Sequence, residues 1–226
     1  MLVSAAFGWL VCSGAHESNE GAAVPPGDHR ALVALLRGGS VEAQERAAWT
    51  LGNLVYTNAD NQVAIVSAGA IEPLVELMRS GSAEAQEKAA WTLGNLATTA
   101  DSHVTIAQAG AIEPLVALMR GGNPVARAQA AWTLGNLAHN AENQVVIMSA
   151  GAIEPLVALL RGGNEAARDQ AVLLLKGLAE NAKNHVAIVS AGALHPLVAL
   201  VHGGNPVARG QAAWTLGNLA RMNTNN

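Results

Sequence analysis

Apolar positions along this chain follow helical spacing in three recurring kinds of segment. In the stretch 124–138, Ala130, Leu134 and Leu137 stand at i, i+4 and i+7, which predicts a long helix with one buried stripe. A short apolar stretch, 61–68, predicts a small helix ended by Gly69, since glycine tolerates the positive φ common just after a helix. A third stretch, 71–79, predicts a helix with Pro73 in its first turn, Glu72 at the positive end of the dipole and Arg79 near the negative end. Asn123 followed by Pro124 predicts an N-cap and first helical position for the long helix.

These segments come in sets. Gly69 to Leu74 reappears with nearly the same letters at Gly110, Gly151 and Gly192, a period of 41 residues, with one extra residue in the loop around Tyr56 to Asp60. Gly110 to Ala138 matches Gly192 to Ala220 at all but five positions, as recent duplication or deliberate consensus design would leave it. A fixed period of this size means stacked units, each burying its apolar stripe on its neighbours. The units read as 16–56 (degenerate), 57–97, 98–138, 139–179 and 180–226, preceded by 1–15 as the end of an earlier one. The expected fold is an all-α solenoid of about five three-helix units.

Composition narrows the function. Half of the 226 residues are hydrophobic and 13% are charged, so the chain can build a core. A net charge of −4 gives no basic footprint for nucleic acid, and a basic partner fits better. No apolar run is long enough to span a membrane, and Cys12, standing alone, excludes an intrachain disulfide, which suits a reducing compartment, cytoplasmic or nuclear. Residues 2–12 are apolar and precede small residues at 13–15, but no Lys or Arg occurs before Arg30, so a degenerate unit is favoured over a signal peptide. The seven His form no cluster with ligand spacing, and no nucleophile, base and orienting residue fall into place; neither metal, cofactor nor enzymatic activity is expected.

Five of the seven aromatic residues are Trp, and four of these stand four residues before an Asn: Trp49 and Asn53, Trp91 and Asn95, Trp132 and Asn136, Trp214 and Asn218. That spacing places each pair on one helix face. An amide buried without partners costs about 1 to 3 kcal/mol, so the repeated Asn implies a face reached by water or backbone. A half-exposed ladder of Trp beside it is expected to bind: the amide can hold a peptide N–H and C=O, and the indole faces can pack aliphatic stems and attract cations. Glu45, Glu87 and Asp169, four residues before the Trp position, are candidates for selectivity toward Lys and Arg. Glu42 with Arg46 and Glu84 with Lys88 equally form ordinary i, i+4 pairs. The fourth unit carries Leu173 and Gly177 in place of Trp and Asn, which should interrupt the ladder.

The period near 40, three helices per unit and the run Ala-Ala-Trp-Thr-Leu-Gly-Asn-Leu-Ala closing most units resemble the armadillo family, which includes importin-α and β-catenin. The resemblance implies a right-handed superhelix and a protein- or peptide-binding scaffold. It further implies that the Trp and Asn pairs line a concave groove where Asn grips a peptide backbone and Trp walls accept Lys and Arg stems. Arg46 and Lys88 stand where importin-α repeats usually carry Glu or Gln, a departure that bears on recognition of nuclear-localisation signals. A structural array that self-associates through uncapped ends, or serves within a larger signalling protein, is the competing expectation.

Overall fold

A computed structural model describes residues 28–221. The readings placed on residues 1–27, including the degenerate preceding unit and the signal-peptide alternative, lie outside the described residues. The described chain is helical throughout: α1 (His29–Gly38), α2 (Val41–Thr57), α3 (Ala59–Ser67), α4 (Ile71–Ser80), α5 (Ala83–Leu96), α6 (Ala100–Gln108) and α7 (Ile112–Gly121) come first. They are followed by α8 (Pro124–Leu137), α9 (Ala141–Ser149), α10 (Ile153–Gly162), α11 (Glu165–Leu178), α12 (His185–Ser190), α13 (Leu194–Gly203) and α14 (Pro206–Ala220). A 3₁₀ turn, Ala182–Asn184, leads into α12.

Local chemistry sets where the long helices begin and where the short ones end. Ser40, Ser82, Asn123, Asn164 and Asn205 cap the long helices by accepting backbone N–H bonds in the first turn, and Pro124 and Pro206 occupy first-turn positions that need no donor. The short helices end at Gly69, Gly110, Gly151 and Gly192, all at φ between 72° and 79°, a region that L side chains avoid. From Gly69 the chain turns sharply into α4.

The long helices α2, α5, α8, α11 and α14 pack side by side in chain order, and α1, α4, α7, α10 and α13 form a second row behind them. Between the rows Leu51, Leu74, Leu93, Leu115, Leu134, Leu156 and Leu175 are fully buried, so the core is a continuous seam shared by neighbouring units. Ala89, Ala130, Ala171 and Ala212, one per unit, are inaccessible and let the helices approach closely.

Polar contacts lock the units in register. Arg37, Arg79, Arg120 and Arg161 each donate from Nη2 to the carbonyl of the glycine ending the next short helix, at 3.4, 3.1, 2.8 and 3.0 Å. Thr92 and Thr133 donate to the carbonyls of Ala48 and Ala90 on the preceding long helix, at 2.7 and 2.9 Å. Among the described residues, no single helix is long and apolar enough to cross a membrane.

Candidate peptide-binding surface

The four Trp and Asn pairs all lie on long helices, but they do not form one uniformly open ladder. Trp49 and Trp214 are 39% and 40% exposed, whereas Trp91 and Trp132 are 3% and 5% exposed. The expectation of a half-exposed row is thus met at the outer positions and corrected at the two central ones.

The cause is a glycine. Gly52 and Gly94 sit mid-helix, and a Cβ built on either would overlap the six-membered ring of Trp91 or Trp132 on the next long helix. Each ring lies down in the slot that the missing side chain leaves. A mid-helix glycine costs about 1 kcal/mol of propensity against alanine, and burying the indole offsets that. Trp91 Nε1 is buried without a hydrogen-bond partner, as is Gln129 Oε1.

The slot logic fails at two junctions. Beside Gly135 the next unit carries Leu173, and the nearest atoms to a built Cβ belong to Leu174 at 3.9 Å, so this slot has room to spare. At the following junction the slot position itself is Lys176, whose ammonium rests 5.1 Å from the ring centroid of Trp214, and Trp214 is exposed.

The Asn amides are committed in the same direction. Asn95 and Asn136 donate to the carbonyls of Gly52 and Gly94 at 3.3 and 3.1 Å, bridging adjacent long helices, while Asn53 donates back to Trp49 at 3.1 Å. Asn95 is buried, and Asn53, Asn136 and Asn218 are half-buried. Each bond uses one of the amide's two N–H groups and leaves its oxygen as an acceptor.

The acidic candidates form a row at the N-terminal ends of the long helices. Glu45 accepts from the Ser82 hydroxyl, Glu87 from Asn123 Nδ2 at 3.0 Å and Asp169 from Asn205 Nδ2 at 2.8 Å, each partner being the N-cap of the next long helix. These bonds hold the carboxylates in place without neutralising them. Burial pushes the Asp169 carboxyl above its ordinary value, opposed by the Asn205 bond, and Glu165 adds to the rise. Ala128 takes the equivalent position in the third unit, leaving a gap in the row. Of the two helix pairs read from spacing, Glu84 lies 3.9 Å from Lys88, which also stands 4.0 Å from Glu87. The bonds from Ser82, Asn123 and Asn205 to these acids, and the Gly-to-Trp pairing, run between units and do not follow from helical spacing within one unit. The signal existed: Lys176 falls on the glycine position when the unit 139–179 is aligned with its neighbours.

Among the described residues no three His, Cys, Asp or Glu side chains converge as metal ligands. His103 and His185 instead cap long-helix ends, each ring Nε2 lying 3.0 and 2.9 Å from the carbonyls of Ala97 and Ala179. A carbonyl only accepts, so Nε2 carries the proton in both rings.

The profile of the armadillo/β-catenin-like repeat matches residues 30–56, 58–98, 104–139 and 181–221, well over half of the chain. The chain belongs to the armadillo repeat family, and its fold is the right-handed all-α solenoid of that family. The unit left unmatched is the one that has lost Trp, Gly and Asn to Leu173, Lys176 and Gly177. No curated protein matches the sequence. Among solved structures, an engineered protein is 32% identical with a TM-score of 0.79, covering 84% of this chain and 80% of its own. A designed armadillo repeat protein in complex with the peptide (KR)4 is 30% identical with a TM-score of 0.77, covering 84% and 81%. A computationally designed armadillo repeat protein for modular peptide recognition is 29% identical with a TM-score of 0.78, covering 84% and 81%.

Proposed function

We propose that this chain is a protein-interaction scaffold, not a catalyst, and that it holds an extended segment containing Lys or Arg along its layer of long helices. The observation that carries this reading is the row of Glu45, Glu87 and Asp169, equivalent positions in three of the five units and each fixed by the next helix's cap. Neighbouring helices lie about 8 to 10 Å apart and an extended peptide rises about 3.3 Å per residue, so one unit serves two or three peptide residues. Selection for cations then rests on the carboxylates more than on the central indoles, since Trp91 and Trp132 are folded into their slots. Trp49 and Trp214 supply the aromatic contacts at either side. The Asn oxygens supply acceptors for peptide N–H groups. The net charge of −4 and the likeness to a designed protein seen with (KR)4 support the same reading.

Fluorescence polarisation with labelled (KR)4 and a labelled glutamate-rich peptide of equal length tests it. Saturable binding of (KR)4 alone, weakened by salt, is expected; equal binding of both, or of neither, overturns it.

A second reading, self-association, has its own observation. Leu194 and Val198 are exposed at 41% and 46%, whereas their equivalents Ile153 and Val157 are buried. Burying this face against a second copy would make light-scattering mass rise with concentration, and Val198→Glu would abolish the rise. Leu219 is buried, so it belongs to the core and not to this face.

A further inference from the structure

The unit 139–179 looks like a lapse in the repeat, but it changes what its neighbour can do. Where the preceding unit offers glycine, the Trp ring is swallowed, as at Gly52 with Trp91 and Gly94 with Trp132. Lys176 takes the glycine position one junction later, its ammonium lies over the Trp214 ring, and Trp214 is 40% exposed. The indole walls a cleft of about 420 Å³, lined also by Ala179, Ala182, His185 and Asn218 and by one acid and one base, Glu180 and Arg221.

We infer that Lys176 is a specificity-determining prop: it keeps Trp214 available to a partner and makes this cleft take an aliphatic side chain, not a cation. The inference rests on the proposed binding of an extended segment and names what one position of that segment carries. Two features argue for the aliphatic occupant. The ring quadrupole already holds the Lys176 ammonium, so a second cation on the opposite face meets a weakened attraction and a like charge. Ala179, Ala182 and the free indole face supply apolar wall, and Asn218 stands beside them to hold the segment's backbone. Among the described residues Lys176 forms no ion pair, and its ammonium stays on the Trp214 ring.

Two substitutions separate bulk from charge. Lys176→Met keeps the bulk and removes the charge; Lys176→Gly restores the residue found at the other junctions. The probes are labelled (KR)4 extended at either terminus by Leu-Leu, and the same peptides extended by Lys-Arg. The native chain should prefer a Leu-Leu peptide over its Lys-Arg counterpart by about tenfold, the scale of one buried leucine after the costs of ordering. In Lys176→Met that preference should fall away as the ring becomes free for a cation. In Lys176→Gly the Trp214 ring should lie down and the Leu-Leu advantage should vanish. Acrylamide quenching, with Trp214→Phe subtracted to isolate this indole, reads the prop without any peptide: Trp214 should be protected in Lys176→Gly and remain quenchable in Lys176→Met. Equal quenching in both variants, or a native chain indifferent to Leu-Leu, overturns the inference. Failure of every peptide to bind the native chain overturns the proposed function instead, and the quenching comparison still decides the prop.

Discussion

Trp132 lies on Gly94 of the preceding unit, its six-membered ring filling the space where a side chain at position 94 would begin. The pair couples two units through one absent carbon. The same relationship joins Trp91 to Gly52, and it is missing where Gly135 faces Leu174 at 3.9 Å.

Alanine substitution should therefore act with opposite sign at two glycines that look alike in sequence. Gly94→Ala forces the indole out of its slot, at about 1 to 3 kcal/mol for overpacking, against about 1 kcal/mol gained in helix propensity. It should destabilise the chain. Gly135→Ala meets only ordinary contacts and should stabilise it by about 0.5 to 1 kcal/mol. Urea unfolding of both variants checks this, and a shared sign would show that the slots do not govern these positions.

The arginine staples should be worth measuring one at a time. Arg120 reaches the Gly151 carbonyl at 2.8 Å across the unit boundary, on an exposed surface. Arg120→Ala should cost about 1 kcal/mol, the usual net value of one hydrogen bond. His202 replaces the arginine in the last described unit, so His202→Ala should cost far less on the same urea scale.

Acid should weaken the fold through His103. Burial pushes this imidazole below its ordinary value, the Ala97 carbonyl bond opposes that, and the nearby His139 ring, with centroids 6.3 Å apart, pushes it further down. A histidine whose folded value is depressed stabilises the fold fully above its unfolded value, near 6.5. That contribution is lost as pH falls from there toward the folded value. Thermal midpoints at pH 7.5 and 5.5 should differ less in His103→Gln than in the native chain; an unchanged difference would exclude His103 as the source.

Much of the architecture could be read from the letters because repetition multiplies weak signals. A single Gly69 is ambiguous, but four at one period, with Arg79 and its equivalents beside them, fix turn and helix end together. The exposure of the tryptophans was not legible in the same way. Spacing of four places Trp91 and Asn95 on one face, yet whether that face is open depends on residue 52 of the neighbouring helix, a contact between units that helical periodicity does not encode. The acids illustrate the same limit: spacing puts Glu45 and Glu87 one turn before a Trp, but the caps that hold them come from the next unit.

The central claim is that fixed carboxylates draw a basic segment onto the long helices, and the triple variant Glu45→Gln, Glu87→Gln, Asp169→Asn addresses it most directly. Each amide keeps an oxygen to accept from Ser82, Asn123 or Asn205, so the junctions persist while three charges go. At low salt the (KR)4 affinity should fall by about tenfold or more, the sum of three contributions near 0.5 kcal/mol, and the difference should shrink as salt rises. An affinity unchanged by the triple substitution at low salt would contradict the account.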